Sequence, residues 1–69
     1  MVVLITGATG LIGSKICTEL VNDGVEVRYF SRNPSLSVIT GAKGFEWNPD
    51  QFSFDKKAME GVTHVINLA

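Results

Sequence analysis

The chain has one cysteine, one histidine and two prolines in 69 residues. A single cysteine excludes an internal disulfide, and Cys17 with His64 is too small a set of soft ligands for a structural zinc site, so no metal centre is expected. No apolar run approaches the ~20 residues of a membrane span, and no basic segment precedes the apolar opening, so neither a spanning helix nor a targeting signal is read. Six basic against seven acidic residues leave a net charge of −1, with no basic cluster denser than Lys56-Lys57. That balance excludes a nucleic-acid or anionic-membrane footprint. The triplet Asn33-Pro34-Ser35 carries proline in the middle and is no glycosylation acceptor. A reducing, cytoplasmic compartment fits this composition.

What the chain does have is a high apolar content, 45%, and seven glycines. Val2 to Thr6 is apolar and β-branched on nearly every residue, the pattern of a strand buried on both faces of a parallel sheet. After the glycines Gly7, Gly10 and Gly13, the residues Ile12, Ile16 and Leu20 recur every four positions, with Cys17 and Val21 widening the stripe; this predicts an amphipathic helix ending at Gly24. "VEVRYFS", Val25 to Ser31, predicts a second strand and completes a βαβ unit. Asn33-Pro34 and the small polar residues up to Gly41 carry turn chemistry, with room for a short helix at Leu36, Val38 and Ile39. Gly44 to Trp47 reads as a short third strand stopped by Asn48-Pro49. Asp55 is placed to cap a helix through Glu60 that ends at Gly61, and His64 to Ala69 reads as a fourth, apolar strand.

Alternating strands and helices define an α/β fold with right-handed crossovers, the first half of a doubly wound parallel sheet in the order 3-2-1-4. At this length the chain closes one small core, read as a single domain over residues 1–69. The apolar strand "VINLA" would lie at an open edge, which suggests the N-terminal part of a longer protein. A complete small subunit that covers this edge by forming a homo-oligomer is the alternative.

The spacing of Gly7, Gly10 and Gly13 between a strand and a helix is the context a dinucleotide fingerprint requires. Gly7 would allow the tight turn off the strand. Gly10 would let the backbone approach a pyrophosphate, and Gly13 would let the helix lie against the sheet. Free N–H groups and the positive dipole end at the helix N-terminus favour an anion without any basic side chain. The bland reading is a glycine-rich turn that binds nothing. An NTPase phosphate loop is excluded, because Gly13 is followed by Ser14-Lys15 in the wrong order and no glycine stands five residues before it.

At the end of the second strand, where an NAD site places an acidic residue on the ribose 2′-hydroxyl, the chain has Ser31-Arg32. An arginine fork there pairs with a 2′-phosphate and Ser31 can donate a hydroxyl to it, so the cofactor expected is NADP rather than NAD. An ordinary exposed arginine is the competing reading, and Arg28, inside the strand, is the weaker candidate. His64 reads as a surface histidine, Trp47 as packing and Cys17 as a buried thiol on the helix stripe.

With Thr6-Gly7-Ala8-Thr9-Gly10-Leu11-Ile12-Gly13, the chain resembles the extended and atypical branch of the short-chain dehydrogenase/reductase superfamily, whose fingerprint is T-G-x-x-G-x-x-G. "SRNP", Trp47-Asn48-Pro49 and "GVTHVINLA" extend the likeness across the chain to the epimerase-like family related to nucleotide-sugar epimerases. The chain departs from that family at Asn48 and His64, where Asp is common.

The resemblance implies an NAD(P)-binding Rossmann fold and an oxidoreductase or epimerase that moves a hydride between nicotinamide and a small carbonyl or sugar-like substrate. The cofactor residues it implies are Gly7, Thr9, Gly10, Leu11, Ile12, Gly13, Ser31 and Arg32, with Asn67, Leu68 and Ala69 beginning the loop beside the adenosine and ribose. The superfamily's catalytic Tyr-x-x-x-Lys pair has no match, since Tyr29 is followed four residues later by Asn33; no catalytic residue is assigned. A non-catalytic NADP-binding sensor or scaffold is the second hypothesis.

Overall fold

The computed structural model describes residues 1–35, 38–48, 50–51 and 53–68. Its elements are β1 (Val2–Thr6), α1 (Leu11–Asn22), β2 (Glu26–Ser31), β3 (Lys43–Asn48), β4 (Ser53–Phe54), a 3-10 turn (Lys56–Met59) and β5 (His64–Asn67). They form one five-stranded sheet in the order β4-β3-β2-β1-β5. β1 pairs in parallel with β2 and β5, and β2 with β3, whereas β3 and β4 are antiparallel. This is the expected 3-2-1-4 arrangement with one edge strand added.

β1 lies centrally, with Val3, Leu4 and Ile5 all buried, as its unalternating apolar sequence requires. On one face Val3, Ile5, Ala8, Val27 and Tyr29 meet Cys17 of α1, with Ile16, Leu20 and Val21 packed around them. On the other face Leu4 and Phe30 meet Ala58 of the 3-10 turn, flanked by Phe45, Trp47 and Val62. Full burial of each larger apolar side chain contributes about 1.5–3 kcal/mol.

The stripe read for α1 holds from its second turn onward and fails at Ile12, which is 70% exposed. Beneath the first turn lies the glycine loop instead of the sheet, so the buried line runs through Gly13 and Cys17. Asp23 forms the C-cap and Gly24 follows at φ 80°, where the helix was expected to stop.

Three further expectations change. No helix occurs at Val38 and Ile39; there the Ile39 N–H donates to the Tyr29 hydroxyl at 3.2 Å and the chain returns directly to β3. Leu36 lies outside the described residues. Asn48 turns the chain rather than merely ending a strand: its Oδ1 accepts the Asp50 N–H at 3.1 Å and its carbonyl accepts the Gln51 N–H at 3.2 Å. β4 then returns along β3, placing Phe54 edge-on to Phe30 at 5.7 Å while Trp47 stacks on Phe30 at 5.4 Å. The segment opened by Asp55 is a short 3-10 turn, capped by the Asp55 carboxylate on the Lys57 N–H at 3.0 Å.

Arg28 holds that turn to the sheet. It stands on the same face of β2 as Phe30, and its guanidinium donates to the carbonyls of Lys57 (3.3 Å), Ala58 (3.1 Å) and Glu60, while Glu26 takes its other edge at 3.0 Å. The Lys57 carbonyl also accepts the Glu60 N–H at 3.3 Å, and a planar fork can serve several carbonyls at once. Arg28→Ala is expected to lower stability by about 1.5–3 kcal/mol in urea unfolding, with Arg28→Lys recovering only part of the loss. Burial pushes the Cys17 thiol above its ordinary pKa. Iodoacetamide should therefore label Cys17 many times more slowly in the folded chain than in urea, as read by mass spectrometry.

Candidate functional site

Parallel pairing brings the C-terminal ends of β1, β2 and β5 to one edge of the sheet, and the residues expected at the site follow those ends. β2 and β5 flank β1 on opposite sides, so the crevice between β1 and β5 is the switch point at which open α/β sheets take their ligands.

Gly7 leaves β1 at φ 77°, a left-handed conformation that other residues rarely adopt. Its carbonyl accepts the Gly10 N–H at 3.2 Å, closing a turn, and the Gly10 carbonyl accepts the Ser14 N–H at 2.9 Å to start α1. Gly13 is required by contact, since a Cβ there would lie 2.1 Å from the Gly7 oxygen and 2.9 Å from Ala8 Cα. Gly10 differs. It has an extended conformation any residue can adopt, and a Cβ there would meet only the Gly7 oxygen at 3.4 Å, an ordinary contact.

The first turn of α1 has no side-chain cap and no acidic residue. Its N–H groups open onto a shallow cleft of about 370 Å³ formed by Gly7, Gly10, Leu11, Ile12, Gly13 and Leu68. Leu11 is 91% exposed and leaves that backbone uncovered. Thr9 belongs to an adjoining cleft of about 240 Å³ with Ser14, Val38 and Ile39. At the far wall the Thr6 hydroxyl donates to Asn67 Oδ1 at 2.6 Å and the Leu68 N–H to the Thr6 carbonyl at 3.0 Å. Asn67 thus braces β5 against β1, and Leu68 faces the glycine loop. Ala69 lies outside the described residues.

Ser31 is buried, and its Oγ accepts the Asn33 N–H at 3.2 Å, shaping the turn that carries Arg32. Arg32 projects into solvent, with Nη1 3.8 Å from Asp50 Oδ2. Sequence reasoning missed Asp50, since no spacing connects the β3–β4 hairpin to the end of β2. Arg28 is committed to the 3-10 turn and points away from this edge of the sheet. His64 is exposed at the start of β5, its Nδ1 2.9 Å from the Thr63 hydroxyl. Among the described residues no helix is long and apolar enough to cross a membrane, and no group of three or more His, Cys, Asp or Glu gathers to hold a metal.

A mostly parallel sheet with a tight glycine turn at its switch point defines a Rossmann-like fold. The chain belongs to the NAD dependent epimerase/dehydratase family, whose model matches residues 3–69. It is 37% identical over 68 residues to an epimerase family protein of Mycobacterium leprae, covering 97% of this chain and 20% of that protein. It is 35% identical over 69 residues to a 2-alkyl-3-oxoalkanoate reductase of Shewanella oneidensis, covering 94% of this chain and 17% of that protein. An epimerase family protein of Mycobacterium bovis is 37% identical over 68 residues, with 97% and 21% covered. The chain spans about a fifth of the length of these curated relatives.

The two glycines separate in their stability effects. Gly13→Ala should cost about 3 kcal/mol, the upper part of the over-packing range, because the clash is with backbone. Gly10→Ala should cost less than about 1 kcal/mol, a change of helix cap alone; urea denaturation of both variants checks the difference.

Proposed function

We propose that this chain is the cofactor-binding part of an NADP-dependent oxidoreductase or epimerase of the short-chain dehydrogenase/reductase type. The observation that carries the reading is Gly10: its extended backbone does not demand glycine and a Cβ there would meet only the Gly7 oxygen at 3.4 Å, so the fold asks no more of it than a helix cap, yet it borders the open N–H groups of α1. A chain that must let a pyrophosphate approach its backbone has a reason to keep glycine there. The absence of a cap or an acid on the first turn fits the same anion.

In this reading Gly7, Gly10 and Gly13 shape the pyrophosphate cradle, and the backbone N–H groups at Leu11, Ile12 and Gly13 point to it. Thr9 borders the cradle on its other side. Arg32 pairs with the 2′-phosphate, and Ser31 holds the turn that presents it. Asn67 and Leu68 flank the ribose side. The bound coenzyme supplies the hydride donor or acceptor. The 2-alkyl-3-oxoalkanoate reductase among the relatives favours a carbonyl substrate, and the resemblance to nucleotide-sugar epimerases offers a sugar-like one. A cytoplasmic setting suits the free Cys17 thiol.

Calorimetric titration of the folded chain with NADP and NAD is the test, with tighter NADP binding expected. Gly10→Ala should weaken both cofactors while the fold persists. Arg32→Ala should cost about 1.5–3 kcal/mol for NADP and hardly change NAD. Equal losses for both cofactors would remove Arg32 from the site.

A further inference from the structure

We infer that Asp50 is a specificity residue acting against Arg32: it lowers the preference for a 2′-phosphorylated nucleotide, a role that rests on Arg32 meeting the 2′-phosphate as proposed above. Arg32 Nη1 lies 3.8 Å from Asp50 Oδ2, outside hydrogen-bond reach, with side-chain exposures of 68% and 77%. So loose and wet a pair adds little to stability.

The position of Asp50 is nevertheless set by the backbone. Asn48, the last residue of β3, accepts the N–H groups of both Asp50 and Gln51. Because β3 is the parallel neighbour of β2, with Ser31 opposite Glu46, this turn comes up beside the residue that follows β2.

A guanidinium has five N–H donors, and at 3.8 Å from Nη1 the Asp50 carboxylate makes no hydrogen bond there, so the fork remains open to a phosphate. A phosphate docked there nevertheless meets the Asp50 carboxylate within the ~8 Å screening length of physiological salt. The repulsion acts on a 2′-phosphate and spares a ribose whose 2′-hydroxyl is free and can donate to a carboxylate. Arg32 and Asp50 thus pull the cofactor preference in opposite directions.

The test titrates the full chain with 2′,5′-ADP and 5′-ADP, following the Arg32 Nε–H and backbone amide resonances by NMR. Asp50→Asn should tighten 2′,5′-ADP about three- to tenfold and leave 5′-ADP within about twofold, as removal of one nearby like charge predicts. That gain should vanish in an Arg32→Ala background and shrink in ~1 M salt. Unchanged or weaker 2′,5′-ADP binding by Asp50→Asn, while Arg32→Ala abolishes the preference, overturns the role of Asp50 and leaves the Arg32 reading intact. A preference that survives Arg32→Ala, or no binding of 2′,5′-ADP to the folded chain, overturns both.

Discussion

The backbone of Gly13 lies so near the Gly7 carbonyl that a methyl group at Gly13 would sit 2.1 Å from that oxygen. This approach seats α1 directly on the end of β1. One turn further along, Cys17 enters the core between Val3, Ile5, Val27 and Tyr29, and the remaining helix face follows. The same approach directs the helix's first N–H groups to the C-terminal edge of the sheet. The packing of the helix and the direction of its first N–H groups therefore depend on one contact, and no other residue type satisfies it without moving backbone.

The two faces of β2 meet different demands. Val27 and Tyr29 face the helix and need only apolar company. On the opposite face Phe30 joins an aromatic group with Trp47 and Phe54, while Arg28 meets the carbonyls of Lys57, Ala58 and Glu60 along the short 3-10 turn. A charged side chain inside a strand becomes tolerable because it answers a polar debt with a fork of donors and keeps Glu26 as counter-charge.

Most of the sheet was legible in the sequence because period and glycine placement are local signals. The apolar run of β1, the α1 stripe beyond its first turn and the turn chemistry at Gly7 each follow from neighbours within a few residues. What escaped depends on tertiary company. β4 is two residues long and exists only through pairing with Trp47 and Asn48. Ile12 matches the helical period yet is exposed, because period does not tell where the sheet beneath the helix ends. Arg28 gave no sign that it serves carbonyls near residue 58, and Asp50 none that it stands beside Arg32. Of the candidate site, the glycine loop and the Arg32 position were readable as motifs. The bracing of Asn67 by Thr6 required the register of β5.

The bond from Arg28 to the Ala58 carbonyl joins residues 30 apart in sequence and encloses the whole β3–β4 hairpin. Closing such a loop costs entropy that grows only logarithmically, about 0.6 kcal/mol for each doubling of its length. With both ends of the segment fastened to the sheet, its tip is free to change length. Insertions at the hairpin tip therefore leave the core and the glycine loop in register, and make this stretch of chain the natural place for length to vary without loss of the fold.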